Sequence, residues 1–86
     1  MTREMRIRDT LTRIFAPETL EVTDDSARHA GHAGAAPEGE THFNVRITSA
    51  QFTGMSRVAR QRAINKALAA EFDTGLHALS IKADAA

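Results

Sequence analysis

The chain has 86 residues, of which 42% are hydrophobic and 26% charged, and its formal net charge is zero. This size and composition predict one globular domain with a single small core and exclude wholesale disorder. The absence of cysteine excludes a disulfide scaffold and an all-thiolate metal site. No apolar run is long enough for a transmembrane helix or a signal peptide, so we expect a cytoplasmic protein without membrane association.

The charges are unevenly distributed along the chain. Residues 18–40 contain six acidic residues and one base, Arg28. Residues 41–70 contain no acid and five bases: Arg46, Arg57, Arg60, Arg62 and Lys66. The pattern favours two solvated faces of opposite sign, and a polarised partner surface is the alternative.

The first third of the chain predicts a helix and then a strand. One apolar stripe at helical spacing runs through residues 3–15 and consists of Ile7, Leu11, Ile14 and Phe15. Pro17 biases Ala16 away from helical torsions and should end this helix. Residues 19–24 alternate and predict a short strand with Leu20 and Val22 directed inward.

Residues 26–43 hold three of the four histidines, His29, His32 and His42. Imidazole is a neutral metal ligand near physiological pH. The segment 27–40 repeats His-Ala-Gly and lacks apolar periodicity, so it predicts a long flexible loop, and loops of that length are usually functional or disordered.

Residues 41–48 give the clearest strand pattern. Phe43, Val45 and Ile47 share one parity, and His42 has the other. We therefore expect His42 to point away from the core, as a solvated residue at the mouth of the strand rather than a ligand. A connector with Gly54 follows over residues 49–56.

The next element is predicted to be a helix capped by Ser56 and ending near Phe72. Ile64, Leu68 and Phe72 form its apolar stripe. Val58 is out of phase with that stripe, so residues 56–60 form either a separate turn or a bend. Arg62 and Lys66 should lie on the exposed side, and Gly75 fits the C-terminal stop of the helix.

Residues 76–82 predict the last strand, in which His77 shares the inward parity of Leu79 and Ile81. Residues 83–86 should be a frayed tail. The order α-β-β-α-β predicts an α+β two-layer sandwich with helices on one face of a three-stranded mixed sheet. The first two strands should pair antiparallel, and a right-handed crossover should make the last pair parallel.

This topology places the mouths of the second and third strands at the same end of the sheet, so the loop could fold over His77. There, His77 and either His29 or His32 would make half of a tetrahedral metal centre, with the other ligands supplied from elsewhere. A mixed histidine and thiolate iron–sulfur site is one such centre. Ordinary surface histidines are the alternative for each of these residues.

Two other functional classes have weaker patterns. Ser26 lies near Asp24, Asp25 and His29, but no water-excluding pocket and no nucleotide motif accompany them, which predicts that the protein is not an enzyme. The basic run of Arg57, Arg60, Arg62 and Lys66 could contact nucleic-acid phosphates. The zero net charge, the absence of Tyr and Trp, and the lack of a GXXG loop argue against this class.

Six motifs in order resemble the BolA family over nearly the whole chain. They are Asp24-Asp25-Ser26, His29-Ala-Gly-His32, Gly39-Glu-Thr-His42-Phe43, Phe52-Thr-Gly54, Arg60-Gln-Arg62 and Leu76-His77-Ala78-Leu79. The resemblance implies a single BolA-like domain over residues 1–86 with a class II KH-like fold. Gln61 departs from the family, which commonly has histidine there.

The resemblance also implies a non-enzymatic partner of a monothiol glutaredoxin, acting in iron–sulfur and iron homeostasis and in stress response. A [2Fe–2S] cluster would be shared with the glutaredoxin and glutathione, and none would be tightly bound by the isolated chain. His77 would be one ligand, and either His29 or His32 the second. The alternative is a DNA-binding regulator of stress response and cell morphology that uses residues 54–70. A homodimer of the isolated chain is a further alternative.

Overall fold

The computed structural model describes residues 1–25 and 40–86. The elements in chain order are helix α1 (Arg3–Phe15), strands β1 (Thr19–Asp24) and β2 (His42–Ser49), a 3₁₀ turn (Ala50–Phe52), helices α2 (Arg57–Ala67) and α3 (Ala69–Asp73), and strand β3 (Ala78–Ala85). The predicted order is confirmed, with the second helix divided in two. The predicted loop lies outside the described residues except for Glu40. No described helix combines the length and apolar character needed to cross a bilayer.

Helix α1 begins and ends where the sequence predicts. The Thr2 hydroxyl caps it by accepting from the Met5 N–H at 3.2 Å. Ile7, Leu11 and Phe15 are buried, whereas Ile14 is 46% exposed and lies off the buried face. Residue 16 ends the helix in a left-handed conformation with φ of 44°, and its N–H donates to the Thr12 carbonyl at 3.1 Å.

Strand β2 is the centre of a three-stranded mixed sheet. It pairs antiparallel with β1 and parallel with β3, so Val45 lies between Val22 and Ile81. Phe43, Val45 and Ile47 of β2 are at most 2% exposed and pack with the buried faces of α1 and α2. The predicted two-layer α+β sandwich is therefore confirmed.

The break in the second helix occurs at Leu68 and not at the predicted positions 56–60. Ser56 caps α2 as predicted, because its hydroxyl accepts from the Ala59 N–H at 3.1 Å. At Leu68 the backbone leaves helical torsions, and its carbonyl accepts from the Glu71 N–H at 2.9 Å. This tighter turn shifts the phase of α3. Phe72, predicted as core, is consequently 36% exposed, and Glu71 is buried instead.

Strand β3 lies two residues later than predicted at its start and three residues later at its end. It begins at Ala78, and its last three residues pair with 47–49 of β2. The Ala86 N–H also donates to the Ser49 carbonyl at 3.2 Å. The predicted frayed tail over 83–86 is therefore wrong, because parallel pairing with β2 continues to Ala85.

Candidate metal centre

The site is built on a local irregularity where β2 and β3 begin. The Thr41 carbonyl accepts from the backbone N–H of His77 at 2.8 Å and from that of Ala78 at 3.1 Å. Two successive donors on one acceptor interrupt the alternation of side chains, as in a β-bulge. His77 therefore does not join the inward row of Leu79 and Ile81, and its side chain is exposed. The prediction that His77 points inward is wrong, and the mouth of the strand is open.

His42 lies beside His77 at this end of the sheet. The ring centres are 6.1 Å apart, and the ring planes differ by 9°. His42 points away from the core as predicted, because its neighbour Phe43 is buried. It is half-buried rather than fully solvated, however, and it contacts another histidine. Two imidazoles are therefore held together by the start of two parallel strands.

The orientation of the His42 ring is supported by Thr41. The Thr41 hydroxyl oxygen lies 2.8 Å from Nδ1 of His42, and Thr41 itself is 5% exposed. A hydrogen bond to one ring nitrogen restrains the orientation of a histidine ring. Thr41 thus holds His77 through its carbonyl and His42 through its hydroxyl.

Glu40 links the start of β2 to helix α1 by hydrogen bonding. Its carboxylate accepts from the Arg3 N–H at 2.7 Å, and its own N–H donates to an Asp24 carboxylate oxygen at 3.3 Å. The carboxylate also complements the positive end of the helix dipole. Glu40 has φ of 64°, a left-handed conformation that costs a residue with a Cβ about 1 kcal/mol. These contacts hold that conformation immediately before Thr41 and His42.

A partly buried ion-pair network lies beneath the segment that leads into His77. Arg3 donates to Glu71 at 2.6 Å and to the side chain and carbonyl of Thr74 at 3.0 Å each. Arg6 donates to both carboxylate oxygens of Glu71 at 3.0 Å. The hydrogen bond from Arg6, helped by the charges of Arg6 and Arg3, holds the pKa of Glu71 below its ordinary value. The same contact raises the pKa of Arg6.

Gly75 completes this support. Its φ of 132° and its approach to Arg3, where a Cβ would lie 3.0 Å from Nη2, both favour glycine. The chain therefore turns closely over Arg3 just before Leu76 and His77. Gly75 follows α3 as the predicted stop, and it also allows this close approach.

The structure brings together His77 and His42, whereas the sequence predicted a partner from the loop. His29 and His32 fall on residues 26–39, outside the described residues. Within residues 1–25 and 40–86, no three His, Cys, Asp or Glu side chains form a complete metal site. Two imidazoles can supply half of a tetrahedral centre, and the remaining donors must come from another molecule or another part of the chain.

The predicted basic contact residues separate into two groups. Arg57, Arg62 and Lys66 are exposed on α2, the last two as predicted. Arg60 is half-buried, and it donates from Nε to the Met55 carbonyl at 3.1 Å and from Nη1 to the Ala83 carbonyl at 3.0 Å. Arg60 therefore links the start of α2 to β3, and its role as a contact for an external ligand stays a prediction.

Comparison with known proteins agrees with this architecture. The family model described as BolA-like protein matches residues 11–86. A Sinorhizobium protein described as "Uncharacterized protein in cobS 5'region" is 53% identical over 84% of this chain and 78% of its own. In Arabidopsis thaliana, SufE-like protein 1 is 51% identical over 95% of this chain, and Protein BOLA1 is 48% identical over 92%. The chain spans only 23% and 51% of these two relatives' lengths.

Solved structures show the same fold. The BolA domain of SufE1 from Arabidopsis thaliana superposes with a TM-score of 0.89 at 49% identity, covering 99% of this chain and 93% of that domain. BolA1 from the same plant gives 0.88 at 45% identity, again with 99% and 93% coverage. These matches confirm the predicted fold class and the predicted family. The chain is a member of the BolA family.

Proposed function

We propose that this chain is a non-enzymatic adaptor that pairs with a monothiol glutaredoxin and supplies histidine ligands to a [2Fe–2S] cluster shared by the two proteins. The observation that carries the proposal is the His42–His77 pair at an open end of the sheet. Because the chain has no cysteine, its histidines are the side chains best suited to bind iron, and the thiolate ligands must come from the partner and from glutathione.

The donor set fits such a cluster. In mixed histidine and cysteine clusters, two imidazoles on one iron replace two thiolates, remove negative charge and raise the reduction potential. When bound, the cluster would supply a one-electron redox couple or a cargo that can be passed on. This chain would contribute His77, held by its backbone bond to Thr41, and a second histidine. The resemblance offers His29 or His32 for that second position.

Within the proposal, the heterodimer of this chain and the glutaredoxin acts in iron–sulfur and iron homeostasis and in the stress response. It does so in the cytoplasm, where glutathione keeps the partner's thiolates reduced. Of the two Arabidopsis relatives, SufE-like protein 1 is described as chloroplastic or mitochondrial and Protein BOLA1 as chloroplastic, and these locations concern the relatives alone.

Co-expression tests this function. The chain, a monothiol glutaredoxin and glutathione should give a coloured heterodimer whose visible circular dichroism differs from that of the glutaredoxin homodimer. The matched control is the glutaredoxin expressed alone under the same conditions. A mixture that elutes as separate proteins, with the cluster only in the glutaredoxin homodimer, would contradict the proposal.

DNA binding through α2 is the second candidate, and one observation favours it. Arg57, Arg62 and Lys66 are exposed, and none of the ion pairs found in the described parts of the chain involves them. Contacts of these cations with phosphates would give an affinity that falls steeply with salt. Charge reversal at Arg62 and Lys66 should abolish such binding, and unchanged binding would remove this candidate.

A further inference from the structure

We propose that Arg8 and Arg60 close the two outer edges of the sheet against a second copy of this chain, so that two sheets do not join edge to edge. This inference does not depend on the proposed function. Strands β1 and β3 are the outer strands of the sheet, and each has one side that no described strand pairs with. An open edge can pair with a strand of another molecule, and proteins protect such edges with charged side chains or with a covering helix.

At the β1 edge, Arg8 covers the carbonyl of Val22. The Asp25 N–H donates to the His42 carbonyl at 2.7 Å, so the odd-numbered residues of this antiparallel strand direct their backbone groups toward β2. The even-numbered residues therefore direct theirs outward. Nη2 of Arg8 donates to the outward Val22 carbonyl at 3.2 Å. Because Arg8 belongs to α1, the guanidinium reaches the edge from the helix layer and occupies an acceptor that an incoming strand would need.

The β3 edge is covered in the same way by Arg60. The Ala78 N–H donates to the Thr41 carbonyl at 3.1 Å, so the even-numbered residues of this parallel strand direct their backbone groups toward β2 and the odd-numbered ones outward. Nη1 of Arg60 donates to the outward Ala83 carbonyl at 3.0 Å. Nε of the same side chain donates to the Met55 carbonyl at 3.1 Å, which holds the guanidinium in place.

The position of Val22 makes Arg8 effective against a symmetric dimer. Val22 is the middle one of the three outward residues of β1, so a twofold axis that pairs two β1 strands antiparallel along most of their length would pass near it. The Arg8 side chains of the two copies would then meet at the axis. Like charges that face each other across paired strands destabilise the pairing. Both guanidinium groups would have to leave the edge before the strands could join.

At both edges an incoming strand would replace a stronger hydrogen bond by a weaker one. A hydrogen bond from a charged donor is roughly twice as strong as one between two neutral groups. The Ala83 carbonyl would exchange its guanidinium donor for a peptide N–H, and the Val22 carbonyl would do the same. The chain therefore stays monomeric with respect to its sheet edges and meets partners through its other surfaces.

Sedimentation velocity of the full chain tests this proposal. The Arg8→Ala/Arg60→Ala variant should self-associate at least tenfold more tightly than the wild type, a change equivalent to about 1.4 kcal/mol. The matched controls are Arg13→Ala on α1 and Arg62→Ala on α2. Each control removes the same charge from the same helix without uncovering a strand carbonyl, so both should sediment like the wild type.

Amide hydrogen exchange shows whether the copies join at the edge. In the associated Arg8→Ala variant, the outward N–H groups of Leu20 and Val22 should exchange more slowly than in a dilute, monomeric sample of the same variant. The N–H of Thr23, directed toward β2, is the internal control and should not change. Association without slower exchange at Leu20 and Val22 would show that the copies join through another surface, and it would overturn the role of Arg8.

Three further results would overturn the proposal. The first is a folded double variant that is as monomeric as the wild type. The second is a wild-type dimer in which the Val22 N–H is protected from exchange. The third is equal association of the control variants. If Arg60→Ala unfolds the double variant, as thermal unfolding would show, Arg8→Ala decides alone, because Arg8 is exposed. That single variant, when folded, must still associate more tightly than the wild type.

Discussion

Thr41 and His77 are joined by a backbone hydrogen bond of 2.8 Å, and the same Thr41 carbonyl accepts a second bond from the next residue of the chain. This shared acceptor interrupts the alternation of β3 and turns His77 outward. It also places His77 beside His42, which follows Thr41 on β2. The Thr41 carbonyl is therefore linked to two features of His77, the ligand that we expect: its exposed side chain and its position beside His42.

Gly75→Ala should destabilise the fold by about 1–3 kcal/mol. The alanine Cβ would lie 3.0 Å from Arg3 Nη2, and the backbone has φ of 132°. Urea unfolding measures the change. Gly54→Ala is the matched control: its φ is 82° but no atom lies within 4 Å of the added Cβ, so only the backbone cost of about 1 kcal/mol is expected. Equal losses in both variants would show that the contact with Arg3 is unimportant.

The Glu71 ion pair should make stability depend on acidity. Its pKa is lower in the folded chain than its ordinary value of 4.5, so its stabilising contribution is present above pH 4.5 and is lost as pH falls through the folded pKa. Glu71→Gln should therefore lower stability at pH 7 and reduce the loss of stability between pH 5 and acid, measured by urea unfolding.

Asp9→Asn serves as the control for that titration, because Asp9 pairs with Arg13 on the exposed side of α1. Exposed pairs of this kind contribute about 0–1 kcal/mol. The acid dependence of Asp9→Asn should therefore follow that of the wild type. An acid dependence of Glu71→Gln identical to that of the wild type would show that the ion-pair network contributes nothing to stability.

Arg60→Ala should destabilise the fold by about 1–3 kcal/mol, because it leaves the Met55 and Ala83 carbonyls without their guanidinium donor. Arg62→Ala, on the exposed side of the same helix, should change the free energy of unfolding by less than about 0.5 kcal/mol. Thermal or urea unfolding measures both. If the two variants are equally stable, Arg60 is a surface residue like Arg62.

Much of the fold could be predicted from the sequence because the relevant information is local. Helical spacing identifies the buried face of α1, and alternation identifies the inward row Phe43, Val45 and Ile47. The order of elements, with the right-handed crossover rule, then determines that β2 and β3 are parallel. These features depend on which side of each element is apolar, and the spacing of the apolar residues along the sequence identifies that side.

The parts that could not be predicted depend on contacts between distant residues. The outward turn of His77 depends on a carbonyl 36 positions away, and the role of Arg60 depends on an acceptor 23 positions away. The break at Leu68 buries Glu71, whose partners are in α1. The pairing of His42 with His77 could have been found, however, because the parallel register already places the starts of β2 and β3 side by side.

The most direct test of the adaptor proposal is the spectrum of the His77→Ala variant co-expressed with a monothiol glutaredoxin and glutathione. We predict that the variant remains folded but loses the heterodimer spectrum, because the cluster is left with too few ligands from this chain. Thermal unfolding of the purified variant is the control for folding. A heterodimer whose visible circular dichroism and EPR signals match those of the wild type would contradict the proposal that His77 binds the cluster.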